Sequence, residues 1–267
     1  MKKAVLAALL CAVSLSAHAH RVWVSTNHTH GGEILKAELG YGEFPEFEPI
    51  AKERLDIFKP LQLITPQGKQ NLLQKGMHNY QFESAKPVPE GSFLVLAEYQ
   101  PTFWSKNAAG WKRQNMKEMP DATYCEQTRM YGKNIVNVGH DSADTAVITR
   151  PVGQMLEIVP LDNPANVQVG ERFKVKVLLN GEPLPNATLT ATFDGFDNSD
   201  RHKSHKVEAQ AFSDTTGDDG TVAIIPLRQG FWKASVEHKS DFADQKVCQK
   251  QANYTTLTFQ IGHSHHH

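Results

Sequence analysis

Along most of this chain apolar and polar residues alternate one by one, the period of a strand with one face buried. Arg21-Val22-Trp23-Val24-Ser25 shows it first, and Gly32 to Leu39 repeats it. Leu55 to Phe58 and Leu61 to Ile64 are short apolar runs bracketed by Pro60 and Pro66-Gln67-Gly68, and they read as strands joined by turns. Tyr80 to Phe82 and Gly91 to Tyr99 continue the series. From 101 to 139 the pattern fails: aromatics, Lys and Arg follow one another without a clean period. A long, partly helical insertion is expected there. Gln154 to Val159 then reads as the last strand of a first domain, because the Pro-, Asn- and Asp-rich stretch Pro160 to Asn166 follows it.

Alternation is strict again from Glu171 to Val177 and ends at Asn180-Gly181, a tight hairpin turn. Ala187 to Phe193, Ala209 to Phe212, Thr221 to Ile225, Gly230 to Val236 and Tyr254 to Ile261 supply further strands, with Asp218-Asp219-Gly220 as a turn. Short strands punctuated this regularly indicate an all-β protein of two β-sandwich domains, residues 20–159 and 160–262. The second is expected to be immunoglobulin-like or prealbumin-like.

The first 19 residues stand apart. Lys2-Lys3, the apolar run Ala4 to Leu15 and Ala17-His18-Ala19 form the three parts of a secretory signal, cleaved after Ala19. The apolar run is too short to span a bilayer. Leu10 before Cys11 does not fit a lipoprotein anchor, so the expected destination is the periplasm. Cleavage leaves two cysteines, Cys125 and Cys248; an even pair in an oxidising compartment predicts one disulfide.

Charge narrows the partners. With 28 Lys and Arg against 29 Asp and Glu, interspersed, the chain has no basic face for nucleic acid or an anionic membrane. Histidines are the remaining chemistry. His20 would be the first residue after cleavage, able to chelate through its imidazole and free α-amine. His28 and His30 follow as an i, i+2 pair before Gly31-Gly32, and His140-Asp141 stands at a strand end. The tail 263–267 adds His263, His265, His266 and His267, and its interrupted, short form reads as native rather than as a purification tag. Neutral imidazole ligates Ni(II), Co(II), Cu(II) and Zn(II) alike. His20, His28 and His30 are expected to form a three-imidazole site, with the tail raising the local concentration of metal. His202 and His205 lie in the basic stretch Asp200 to Lys206, which repels a cation, and His78 and His238 read as isolated surface residues.

Several motifs together carry a resemblance. They are Ala19-His20-x-x-Trp23, Gly40-Tyr41-Gly42-Glu43-Phe44-Pro45, Tyr131 to Gly139, Gly153-x-x-Leu156-Glu157-Ile158-Val159-Pro160-Leu161, Asn163-Pro164 and Gly181-Glu182-Pro183-Leu184. The chain resembles an exported family described as nickel or cobalt uptake components, found beside energy-coupling-factor type transporters. The resemblance covers the whole mature chain and implies nickel as the cargo and the membrane subunits of an importer as partners. Where relatives carry Gly-His after the tyrosine, this chain has Gly42-Glu43.

The expected function is therefore capture of a transition metal, nickel first and cobalt second, and its delivery to an inner-membrane transporter. No enzymatic activity is expected, since G-x-S-x-G, HExxH and phosphate-cradling loops are absent. Two alternatives belong to other classes. An N-terminal histidine with a second histidine is the arrangement of copper-dependent oxidative enzymes, and a structural or adhesive sandwich would carry its histidines incidentally.

Overall fold

The structure, a computed structural model, describes residues 20–139, 144–196 and 208–262. Residues 1–19, His140, His202, His205 and the 263–267 tail lie outside the described residues. The first part of the chain supplies β1 (Arg21–Thr26), β2 (Lys36–Gly42), β3 (Gln62–Thr65), β4 (Gly68–Asn71), β5 (Leu73–Gln74) and β6 (Gln81–Glu83). Two long strands follow, β7 (Gly91–Asn107) and β9 (Tyr124–Val138), with β8 (Gly110–Lys112) between them. Next come β10 (Leu156–Pro160), β11 (Phe173–Leu179), β12 (Glu182–Pro183), β13 (Thr188–Phe193) and β14 (Phe212–Thr215). The last three are β15 (Thr221–Ile224), β16 (Gly230–Asp241) and β17 (Lys250–Ile261). The all-β expectation holds.

One large sheet, in the order β14-β13-β16-β17-β9-β7-β3-β4, runs through the whole molecule. Its halves meet where β17 lies parallel to β9, Lys250 opposite Glu126 through Thr258 opposite Asn134. A sheet of β1, β2, β6 and β5 covers one face, and a sheet of β10, β11, β12 and β15 covers the other. Each covering sheet encloses its own core. Val22, Val24, Leu39, Val95, Val138 and Tyr254 belong to the first, and Leu94, Leu96, Ile135, Trp232 and Phe259 to the second.

This arrangement explains where the alternation fails. Residues of β9 point into different cores, Met130, Val136 and Val138 into one and Ile135 into the other, as do Val95 and Leu94 of β7. A strand buried on both faces has no polar side to alternate with. The segment 101–139, expected to be a partly helical insertion, is instead the end of β7, then β8 and β9, and its described backbone holds no helix. Of Leu55 to Phe58, read as a strand, the first three residues lie in a 3-10 helix, Lys52–Ile57, and Phe58 alone is extended and bridges Tyr99. The strand expected to close the first domain, Gln154 to Val159, becomes β10 and pairs antiparallel with β11 of the second half. An apolar run does not record its partner, and the pairing with β11 places this strand with the second half. Ala209 to Phe212 moves along the chain to β14. The Asn180-Gly181 turn is as expected, both residues at positive φ, 52° and 82°, joining β11 to β12.

The first covering sheet is fastened to the large one through β1. Thr256 Oγ1 donates to Val22 O and Thr258 Oγ1 to Val24 O, so hydroxyls of β17 satisfy carbonyls on the free edge of β1. Trp23, fully buried, fills the layer between. Gly40 lies under its ring; a Cβ there would sit 2.0 Å from indole Cε2. Cys125 and Cys248 are disulfide-bonded, with Cα atoms 5.2 Å apart, and tie the start of β9 to the segment entering β17. The predicted disulfide is present, and it clamps the end of the parallel junction.

Candidate functional site

His28 and His30 stand on the loop between β1 and β2. Thr29 between them is buried, and its carbonyl accepts the N–H of Gly139 at 3.0 Å. With Thr29 turned inward, the residues on either side turn outward. The two imidazoles are exposed, their ring centroids 4.7 Å apart and their planes nearly perpendicular at 89°. The loop is held from several sides. Asn27 N–H donates to Lys36 O at 3.2 Å, Gly32 N–H to Val88 O at 2.8 Å, and His30 N–H to Glu33 Oε2 at 2.9 Å. Gly31 has no room for a side chain, because Glu90 Cγ lies 2.5 Å from where its Cβ would be. Two imidazoles on a braced loop can share one metal ion while leaving its remaining positions open.

His20 stands at the other end of β1. Six strand residues separate it from the loop, about 20 Å at roughly 3.3 Å per residue. The expected three-imidazole site therefore does not form, because the extended strand between the histidines holds them apart. Among the described residues, no three His, Cys, Asp or Glu side chains are grouped as metal ligands. The His20 ring meets Tyr41 edge to face at 5.2 Å. Burial lowers its pKa below 6.5, as do Arg54 and Arg21, while Glu48 and Glu43 oppose the shift. Arg54 lies over Trp104 at 4.7 Å and donates to Tyr41 Oη at 2.7 Å. The groups facing His20 are thus aromatic, guanidinium and carboxylate. Among the described residues, none of these groups is a second imidazole.

The other described histidines are apart from both places. His78 is exposed and stacks on Tyr80 at 5.1 Å. His238, expected at the surface, is half-buried on β16, and its Nδ1 is enclosed without a hydrogen-bond partner. His140, the tail histidines His263, His265, His266 and His267, and His202 and His205 lie outside the described residues. Gly139, the last described residue before His140, is the one whose N–H binds Thr29 O.

Sequence reasoning missed the polar groups inside the sheets. Lys133 Nζ donates to Glu157 Oε2 at 2.7 Å and to Ile158 O at 3.0 Å, with both side chains 1% exposed. Burial presses the Lys133 pKa down while Glu157 holds it up. The signal was available: Glu157 is a lone charge inside the apolar run Leu156 to Val159. Two clefts also escaped notice. An apolar one of about 330 Å³ lies among Leu39, Ile50, Leu55, Phe58 and Phe82, and a polar one of about 180 Å³ lies beside Gln154 and Lys69. Neither is lined by a histidine.

Residues 17–240 match the sequence profile of DUF4198, a domain of unknown function. The chain belongs to the DUF4198 family. A comparison with curated proteins found no match. Among solved structures, this DUF4198 chain is similar to the D0-D1 domain of intimin. The likeness has 13% identity over 88% of this chain and 96% of that one, with a TM-score of 0.22. In the described part of this DUF4198 chain no helix is long and apolar enough to cross a membrane.

Proposed function

We propose that this DUF4198 protein is an exported, periplasmic capture protein for a divalent transition metal, nickel first and cobalt second. It would pass the ion to the membrane subunits of an uptake transporter. The observation that carries the reading is the His28–His30 pair, two exposed imidazoles 4.7 Å apart on a braced loop. Such a site binds through two ligands and surrenders the ion by exchange at its open positions, which suits delivery better than storage. His140, directly after Gly139, and the tail histidines His263, His265, His266 and His267 are the further donors that the sequence offers. His20, with its α-amine after cleavage, is the competing chelate that the titration below distinguishes from the pair. The Cys125–Cys248 disulfide accords with an oxidising compartment. The choice of nickel rests on the family resemblance, since imidazole also takes Cu(II) and Zn(II).

Calorimetric titration of Ni(II), Co(II), Cu(II) and Zn(II) into protein processed after Ala19 and ending at Gly262 tests this. One saturable site is expected, lost in His28→Ala/His30→Ala and kept in His20→Ala. Loss in His20→Ala alone would move the site to the N-terminal chelate. Loss of all binding on removing the tail would leave the sandwich as its carrier only. Affinity should collapse below about pH 6, where imidazole becomes protonated. Cells lacking the protein should accumulate less nickel from limiting medium, and unchanged uptake would refute a delivery role.

A further inference from the structure

The polar cleft lies on the large sheet beside the segment that leads into β10, and no described histidine lines it. Gln62 on β3, Lys69 on β4, Glu98 on β7 and Tyr131 on β9 contribute to its lining, with Lys59 at the rim and Gln154 on the opposite wall. Glu98 and Tyr131 are register partners, so one face of adjacent strands forms the floor.

The wall is unusually well fixed. The Glu157 carboxylate accepts the N–H groups of Val152, Gly153 and Gln154 at 2.8, 2.9 and 3.2 Å, and Lys133 approaches the same carboxylate from within the core. Three consecutive backbone donors on one buried anion leave this segment little freedom to rearrange. A binding wall organised before the ligand arrives loses less entropy on binding.

The chemistry of the lining selects a ligand. Lys59 donates to Glu98 Oε1 at 2.8 Å, so that pair is neutral and leaves the second oxygen of Glu98 as an acceptor. Lys69 makes no ion pair among the described residues and is the cation left over in the cleft. Gln62 Nε2 donates to Asn71 Oδ1 at 3.3 Å, which leaves its Oε1 as a second acceptor in the lining. The cleft therefore offers one cation and several acceptors, which match one carboxylate and several hydroxyls. Its volume of about 180 Å³ suits one substituted six-membered ring, since a cavity of roughly 150 Å³ holds benzene.

We propose that this cleft binds a small polyhydroxylated carboxylate, a sugar acid of monosaccharide size, with its carboxylate on Lys69 and its hydroxyls on Glu98 and Gln62. The site is independent of the metal reading.

Saturation-transfer NMR and calorimetry on the processed full chain, with galacturonate and gluconate as probes and glucose as the neutral control, test it. A sugar acid should bind saturably, and glucose about tenfold more weakly, the loss of one charge-assisted contact. Lys69→Ala should weaken the acid to the level of glucose. Gln62→Leu should weaken both, and His28→Ala/His30→Ala should weaken neither. Lys69 is exposed on a hairpin, so its variant should fold as the parent does. EDTA-treated protein should bind equally well; dependence on metal would place the ligand on the ion and overturn the proposal. No saturable binding at millimolar probe, equal affinity for glucose, or undiminished binding by Lys69→Ala would also overturn it.

Discussion

Lys133 and Glu157 face each other at 2.7 Å between the large sheet and β10, each 1% exposed. The pair joins the two layers of the second core at its polar end. Besides Lys133, Glu157 holds the three N–H groups of the segment before β10. Removing either partner leaves an uncompensated charge in the core.

Lys133→Met is therefore expected to cost about 3–5 kcal/mol in urea unfolding. Replacing both, Lys133→Met with Glu157→Leu, should not restore wild-type stability, because Val152, Gly153 and Gln154 lose their acceptor. A fully stable double variant would show that the carboxylate does not organise this segment.

Gly40 and Gly132 both touch Trp23, to very different degrees. A Cβ at Gly40 falls 2.0 Å from the indole, whereas one at Gly132 falls 3.3 Å from Trp23 Cα. Gly40→Ala should destabilise by roughly 3 kcal/mol or more, at or above the upper end of ordinary overpacking, with a red-shifted tryptophan emission. Gly132→Ala should cost clearly less. Equal melting temperatures for the two variants would contradict this packing.

The disulfide closes a long loop, its cysteines 123 residues apart. Chain entropy assigns about 5 kcal/mol to such closure. Cys125→Ala/Cys248→Ala, or reduction of the parent, should lower the melting temperature by many degrees. Reduction should have no further effect on the double variant.

His20 gives stability a pH dependence with a definite sign. Its folded pKa lies below its ordinary 6.5, because burial and Arg54 disfavour the imidazolium. Between these two values the unfolded chain binds more protons. The contribution is complete above pH 6.5 and is lost as pH falls from there through the folded pKa. Unfolding free energy measured from pH 7.5 down to 5 should fall more for the parent than for His20→Gln. Identical slopes would mean the imidazole is not disfavoured in its charged form.

The sequence by itself determined that the chain is all-β, where most strands and the Asn180-Gly181 turn lie, and that Cys125 pairs with Cys248. These follow from local rules: period-two alternation, turn residues that tolerate positive φ, and cysteine parity. It also singled out the histidines that a metal could use, since residue type alone decides that.

Partner strands and distances came only with the tertiary structure. The alternation of a strand records that one face is buried but not against what, so β10 could be assigned to either half until β11 was seen beside it. β7 and β9, shared by two cores, lose the alternation and invited a helical reading. The spacing of His20, His28 and His30 looked like a cluster because sequence distance ignores direction. An extended strand carries its two ends about 20 Å apart, and so one imidazole was separated from the two that meet.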